Sequence, residues 1–226
     1  MIKFQNVTKV YPPNSVVLNN VSFEIKEGEF VSIVGKSGVG KTTLTRLILG
    51  LEAPNSGEVF FYGKNINHID DSELQEVRRK IGCVYQDYKL LSTKTVYENV
   101  AYIMAVEGKE NEEINREVPK VLEVIGLGHR VNNFPRELSG GEQQRLAVAR
   151  ALINHPDVII ADEPTGNLDP YNTYEVISLL EKINKNGKMV ILLTHNREIV
   201  NKLGKRVITI ENGTIVRDEA KGRFII

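Results

Sequence analysis

The stretch Gly35-Lys36-Ser37-Gly38-Val39-Gly40-Lys41-Thr42 decides the fold class, because it matches the pattern G-x-x-x-x-G-K-[ST] of a phosphate-binding loop. Its glycines let backbone N–H groups turn inward around nucleotide phosphates, and the helix that begins near Lys41 points its positive end toward them. Lys41 is expected to neutralise the β- and γ-phosphates, and the Thr42 hydroxyl to bind Mg²⁺. We predict that this loop and the adjoining Thr43 bind the nucleotide. Such a pattern arises by chance in about 1% of chains of this length.

Apolar runs on either side of the loop predict an α/β fold. Phe30–Val34 has the composition of a strand before the loop, and Thr42–Leu49 that of a helix after it. A second strand–helix–strand unit is predicted from Val158–Ala161, Asn172–Asn184 and Met189–Leu193. Since parallel strands need a crossover connection, usually a helix, this alternation predicts a parallel sheet covered by helices.

The rest of the chain is predicted to hold an antiparallel part and a helical part. Three short β-rich runs, Ile2–Phe4, Val21–Ile25 and Val59–Tyr62, lie close together in the sequence, which favours hairpins and antiparallel pairing. The middle of the chain, roughly from Thr95 to Asn154, has mostly helical patterning. Its clearest helical segments are Val96–Val106 and Glu112–Ile125.

Two acidic residues follow the buried strand Val158–Ala161, and a histidine follows the next strand. Asp162 can hold Mg²⁺ directly or through water, and Glu163 can polarise an attacking water as general base. His195 is expected at the same edge of the sheet, where its imidazole would reach the γ-phosphate. Each of these residues alone could be structural. The phosphate-binding loop upstream is what favours a catalytic and metal site.

Composition and charge exclude several other classes of protein. The chain has 226 residues, with 29 Lys and Arg against 29 Asp and Glu, and 41% of its residues are hydrophobic. The balanced charge argues against a nucleic-acid partner, and the hydrophobic fraction against a disordered chain. The longest apolar run, Val100 to Val106, is far shorter than the roughly 20 residues of a membrane-spanning helix. The N-terminus lacks a signal peptide and Cys83 is the single cysteine, which predicts a protein of the reducing cytoplasm.

The segment Leu138-Ser139-Gly140-Gly141-Glu142-Gln143-Gln144-Arg145 resembles the signature sequence of ATP-binding-cassette (ABC) ATPases. Ser139 is expected to cap a helix that runs to about Asn154, with Gly140 and Gly141 exposing N–H groups at its positive end. The resemblance covers essentially the whole chain. It implies one nucleotide-binding domain over residues 1–226, with a RecA-like parallel core, an N-terminal antiparallel part and a helical subdomain at about 88–154.

The resemblance also implies how the site is completed. In ABC ATPases two subunits pack head to tail, and each ATP lies between the phosphate-binding loop of one and the signature of the other, so a homodimer forms on ATP binding. Tyr11 matches the residue that stacks on adenine, and Gln86 the residue that senses Mg²⁺ and attacking water. Asp169, in Asn167-Leu168-Asp169, matches the loop that crosses the dimer interface. Taken alone, Tyr11 and Gln86 would be ordinary tyrosine and glutamine residues.

Within the family, the chain resembles the cell-division members most. The supporting stretches are Tyr85–Leu91 and Lys94–Val100, although Lys36 departs from the proline usual in that group. The resemblance implies a peripheral ATPase on the cytoplasmic side of the membrane, which contacts an integral membrane partner through about Asp87–Val100. ATPases of lipoprotein release or macrolide efflux are the alternative. A soluble ABC protein of ribosomes or DNA repair is disfavoured, because such proteins usually carry two cassettes or a long coiled-coil insertion.

Overall fold

Ten strands and seven α-helices make up residues 1–224, the part of the chain that the computed structural model describes. The strands are β1 (Ile2–Tyr11), β2 (Ser15–Ile25), β3 (Phe30–Val34), β4 (Ser56–Phe61), β5 (Lys64–Asn65), β6 (Ile81–Tyr85), β7 (Val158–Asp162), β8 (Met189–Thr194), β9 (Arg206–Glu211) and β10 (Thr214–Glu219). The helices are α1 (Lys41–Ile48), α2 (Asp71–Arg79), α3 (Val96–Val106), α4 (Asn111–Val124), α5 (Gly140–Leu152), α6 (Pro170–Lys185) and α7 (Arg197–Leu203). None of the helices in these residues is long and apolar enough to cross a bilayer.

The predicted parallel sheet is confirmed, and it has six strands in the order β10-β9-β3-β8-β7-β6. Strands β9, β3, β8, β7 and β6 run parallel, and β10 closes one edge as the antiparallel partner of β9. Every residue of β3, β7 and β8 is buried. Both faces of these strands are therefore covered, which explains why they appear in the sequence as uninterrupted apolar runs.

The N-terminal strands are antiparallel, as predicted, and form a separate four-stranded sheet in the order β2-β1-β4-β5. Strands β1 and β2 are longer than their apolar runs indicate. Irregularities in their pairing, the first between Phe4 and Val7, break the alternation of buried and exposed residues. The sequence pattern of β1 consequently ends at Phe4, although the strand continues to Tyr11.

The sequence patterns do not predict six of the elements: β5, α2, β6, α7, β9 and β10. Helix α2 shows why, since Val77 is its single buried residue and a polar helix of this kind has little apolar periodicity. The predicted helices of the middle of the chain are confirmed as α3, α4 and α5. Ser139 caps α5 as expected, and its side chain accepts a hydrogen bond from the Glu142 backbone N–H.

The two largest apolar cores lie on opposite faces of the six-stranded sheet. One packs the sheet against α1 and the antiparallel sheet, with Leu44 and Leu47 of α1 fully buried. The other packs it against α3 to α6 and includes Val100, Val118 and Leu146. The sheet is thus held from both sides, which fixes the loops at its carboxyl edge.

A buried asparagine in α3 shapes the loop between β6 and α3. The side chain of Asn99 accepts a hydrogen bond from the Leu91 backbone N–H at 2.8 Å. Its amide donates to the carbonyl oxygens of Leu91, Lys94 and Thr95 at 2.9–3.1 Å. One fully buried side chain therefore satisfies four backbone groups, and the loop takes its path from that side chain.

We expect Asn99→Ala to lower the free energy of unfolding by about 2–4 kcal/mol, because it removes the side-chain partner of the Leu91 N–H and the Lys94 carbonyl oxygen and leaves a cavity at a fully buried position. Chemical denaturation followed by circular dichroism measures the loss. Asn115→Ala is the matched control: Asn115 is exposed on α4 and accepts one hydrogen bond, from the Tyr97 hydroxyl at 2.6 Å. Equal effects of the two substitutions would contradict the role assigned to Asn99.

Candidate active site

The phosphate-binding loop connects β3 to α1, the position that the sequence predicts. Gly35 has no room for a side chain, since an added Cβ would lie 2.6 Å from the Ile210 carbonyl oxygen. Gly40 has φ of 106° and forms the N-cap of α1. The loop therefore turns tightly and leads directly into the N-terminus of a helix, where backbone N–H groups are free to bind an anion.

The amino group of Lys41 is held inside the loop. It donates hydrogen bonds to the carbonyl oxygens of Gly35 at 2.8 Å and Lys36 at 3.2 Å, and it lies 3.3 Å from Glu163 Oε1. The side chain is only 6% exposed. A buried ammonium group that faces the loop cavity is well placed to neutralise a bound phosphate.

Asp162 ends β7 and lies beside the phosphate-binding loop. Burial raises the pKa of Asp162, and the Glu163 charge acts in the same direction, while the Thr42 hydroxyl and Lys41 oppose the rise. Thr42 is exposed toward this space, so a hydroxyl and a carboxylate oxygen come together. These hard oxygen donors fit Mg²⁺, which is usually bound by one or two protein oxygens together with substrate phosphates and water.

Glu163 stands between the loop and β8. Its carboxylate Oε1 contacts Nδ1 of His195 at 2.9 Å as well as the amino group of Lys41 at 3.3 Å. The backbone of Glu163 has φ of 49°, in the left-handed region that is uncommon for a non-glycine residue, and its N–H donates to the Leu193 carbonyl oxygen at 2.9 Å. The sharp turn thereby directs the carboxylate toward Lys41 and His195.

A cleft of about 310 Å³ collects many of the predicted site residues. Tyr11 lies in the same wall as the loop, and its hydroxyl is 3.4 Å from Thr43 Oγ1. The residues that line the cleft are Tyr11, Val17, Ser37, Gly38, Gly40, Lys41, Thr42, Thr43, Asp162 and Glu163. The cleft therefore joins an aromatic ring, a phosphate-binding loop and two carboxylates.

Gln86 is not among the residues that line this cleft. Its amide donates to Asn167 Oδ1 at 3.3 Å, and Asn167 Nδ2 donates back to the Gln86 carbonyl oxygen at 3.3 Å. Gly166 permits this approach, because a Cβ there would lie 2.7 Å from Gln86 Nε2. No sequence pattern predicts this contact, because Gln86 and Asn167 are 81 residues apart.

The signature residues Ser139, Gly140 and Gly141 and the loop residue Asp169 also lie outside the cleft lining. Asp169 caps α6 and accepts a hydrogen bond from the Asn172 backbone N–H at 2.9 Å. The Asn172 side chain packs where a Cβ on Gly141 would be. The signature and the start of α6 therefore form one connected surface.

The site defines the class of protein. A phosphate-binding loop after β3, with carboxylates at the end of β7, is the arrangement of a phosphate-binding-loop nucleoside triphosphatase.

The model of the ABC transporter family matches residues 18–166. The chain is 49% identical over 224 residues to the cell division ATP-binding protein FtsE of Bacillus subtilis, covering 99% of this chain and 98% of that protein. It is 40% identical to the FtsE of Escherichia coli, covering 94% of this chain and 96% of that protein.

The structure resembles a solved dimer of the ATP-binding cassette MJ0796 in a post-hydrolysis state bound to ADP and Pi. The TM-score is 0.88 and the identity 39%, over 99% of this chain and 100% of that chain. The chain thus belongs to the ABC transporter family and is an ATPase, as the signature sequence predicts.

We expect Lys41→Ala to weaken nucleotide binding by about 10- to 100-fold, because it removes a charge-assisted contact to the phosphates. Isothermal titration calorimetry with ATP measures the change. Lys64→Ala is the control, since Lys64 lies on β5 and its ion pair with Glu73 is remote from the cleft lining. Unchanged ATP affinity of Lys41→Ala would exclude Lys41 as a phosphate ligand.

Proposed function

We propose that this chain is the ATP-hydrolysing subunit of a cell-division complex of the FtsEX type. It would couple ATP-driven dimerisation to a membrane protein of the FtsX type, and so regulate peptidoglycan hydrolysis. The observation that carries the proposal is the near full-length similarity to FtsE proteins of distant bacteria, together with a nucleotide site of matching chemistry.

In the proposed reaction, water attacks the γ-phosphorus of ATP, the bond to the bridging oxygen breaks, and ADP and phosphate leave. Glu163 would accept the proton of the attacking water. His195, whose Nδ1 lies 2.9 Å from Oε1 of Glu163, would reach the γ-phosphate. Thr42 and Asp162 would hold Mg²⁺, with Gln86 as the further ligand that the family resemblance implies, and the bound ion would supply charge neutralisation to the phosphates. The side chains of the site would orient the attacking water and the ATP, and Glu163 would take up the proton from that water.

The contact between Lys41 and Glu163 would change when ATP binds. The amino group of Lys41 lies 3.3 Å from Glu163 Oε1. The phosphates of ATP would compete for the Lys41 ammonium, because several negative oxygens attract it more strongly than one carboxylate. Glu163 would then lose its contact with Lys41 once ATP is present, and its carboxylate would be available to the attacking water.

ATP would also join two copies of the chain. We infer that Ser139, Gly140, Gly141 and Asp169 act on the ATP held by the partner subunit, which accounts for their position outside the cleft of their own subunit. Ser139 and Glu142 form a capping box at the N-terminus of α5, with the Ser139 N–H 2.8 Å from Glu142 Oε2. Backbone N–H groups beyond this cap would bind the γ-phosphate of the partner's ATP.

The membrane partner would contact the segment Asp87–Val100 and the groove beside it. This groove, of about 250 Å³, is lined by Tyr88, Lys89 and Ile103. Arg150 also lines the groove, and burial lowers the pKa of Arg150, whose buried Nε has no hydrogen-bond partner in residues 1–224. A groove with apolar and cationic walls suits an amphipathic segment of a partner protein.

This arrangement corresponds to a peripheral ATPase on the cytoplasmic side of the membrane, attached through its partner. The alternative, an ATPase of lipoprotein release or macrolide efflux, uses the same site and the same chemistry. The similarity to FtsE proteins favours the cell-division function. Identification of the membrane protein that co-purifies with the chain would distinguish the cell-division function from the exporter function.

We expect Glu163→Gln to retain ATP binding while turnover falls at least about 100-fold, because the amide cannot accept the proton. Turnover is measured by phosphate release, and the trapped ATP-bound protein is used to capture partners from native membranes. Glu175→Gln is the control, since that carboxylate binds Arg145 outside the cleft. Hydrolysis at the rate of the unmodified protein would refute the base assignment. Capture of a lipoprotein or drug exporter would refute the cell-division assignment.

We expect Ser139→Ala to leave ATP binding to the monomer unchanged and to weaken ATP-driven dimerisation, in the Glu163→Gln background, about 10-fold or more. Light scattering against protein concentration measures the dimer. Thr95→Ala is the matched control, because Thr95 and Glu98 form an equivalent capping box on α3, and each cap contributes about 1 kcal/mol. If both variants dimerise equally well, the signature residue does not act across the interface.

A further inference from the structure

Glu52, in the connection between α1 and β4, accepts hydrogen bonds from two elements of the nucleotide site. Its Oε2 accepts a hydrogen bond from the Tyr11 hydroxyl at 2.6 Å, and its Oε1 one from the Arg46 guanidinium at 2.8 Å. The Lys9 ammonium lies 3.2 Å from Oε2. The side chain of Glu52 is 19% exposed. Tyr11 and Glu52 are 41 residues apart, and no sequence motif connects them.

These contacts fix the Tyr11 ring from several sides. The Lys9 ammonium lies 5.2 Å from the centroid of the ring, and the Tyr11 hydroxyl also lies 3.4 Å from Thr43 Oγ1. Arg46 and Thr43 both belong to α1, the helix that follows the phosphate-binding loop. The ring is therefore tied to the same helix that would hold the phosphates.

The carboxylate of Glu52 stays ionised throughout the neutral range. The Tyr11 hydrogen bond, assisted by hydrogen bonds from Arg46 and Lys9, lowers the pKa of Glu52 to about 2 although partial burial opposes the change. A permanently charged acceptor makes a stronger hydrogen bond to a phenol than a neutral one does. The orientation of the ring is consequently set before any nucleotide arrives.

We propose that Glu52 is a positioning residue for adenine: it holds Tyr11 so that the ring is ready to stack on the base. The proposal rests on the proposed function as an ATPase, in which Tyr11 stacks on adenine as the family resemblance implies. A ring that is already immobilised loses less conformational freedom when a ligand binds. The entropy cost of binding the base is therefore smaller. Glu52 would thereby increase affinity for the adenine part of ATP without touching it.

Two probes separate positioning of the base site from general damage to the fold. ATP and inorganic tripolyphosphate share a chain of three phosphates, but only ATP carries adenine. In calorimetric titrations we expect Glu52→Gln to weaken ATP binding about three- to tenfold, the range of one hydrogen bond, and to change tripolyphosphate binding less than about twofold. Tyr11→Phe, which keeps the ring and removes the hydroxyl, should show the same selective loss.

The double variant Glu52→Gln, Tyr11→Phe should bind ATP no more weakly than Tyr11→Phe alone, because both changes remove one interaction. Glu117→Gln is the matched control: Glu117 also contacts two cations, Arg116 at 2.8 Å and Lys120 at 3.1 Å, on α4. It should change neither affinity. If Glu52→Gln does not fold, as judged by its thermal melting, Tyr11→Phe alone carries the test.

Equal losses for ATP and tripolyphosphate, fully additive losses in the double variant, or no loss in either single variant would overturn the role of Glu52. Tyr11→Ala distinguishes this failure from failure of the underlying assignment. If Tyr11→Ala selectively weakens ATP and Glu52→Gln does not, only the positioning role falls. If Tyr11→Ala leaves ATP affinity unchanged, the adenine assignment of Tyr11 is wrong as well.

Discussion

The site depends on one geometric constraint: the carboxyl ends of three adjacent parallel strands lie side by side. In the order β3-β8-β7, Val34 pairs with Thr194 and Asp162 with Leu193. The loops that leave these strands must therefore emerge together at one edge, and they carry Lys41, Glu163 and His195. Burial of all three strands on both faces keeps this register fixed, because a shift would disrupt the close packing of side chains in the cores on both faces.

Electrostatics then makes these loops interdependent. Oε1 of Glu163 contacts a cation from the phosphate-binding loop and an imidazole that follows β8. The left-handed backbone at Glu163 is held by its hydrogen bond to the Leu193 carbonyl oxygen, so the neighbouring strand supports the turn. In the proposed function, phosphates that attract Lys41 would therefore change the surroundings of this carboxylate directly.

Contacts outside the cleft connect it to the helical part of the protein. Gln86 and Asn167 exchange two hydrogen bonds, and Asn172 packs closely on Gly141 at the start of α5. The loop after Gln86 is shaped by Asn99, and it borders the groove lined by Arg150. The nucleotide edge, the signature helix and the groove are therefore in physical contact through a short series of side chains.

The sequence by itself determined the parts that depend on adjacent residues: the phosphate-binding loop, the acidic pair, the cap at Ser139 and the buried strands. Local backbone and burial rules act on such segments, so their patterns are visible without coordinates. Only the tertiary structure decided that Glu52 binds Tyr11 and that Gln86 binds Asn167, across 41 and 81 residues. Polar pairs of this kind leave no periodic pattern, because the packing of separate elements against the sheet is what brings their atoms within hydrogen-bonding distance.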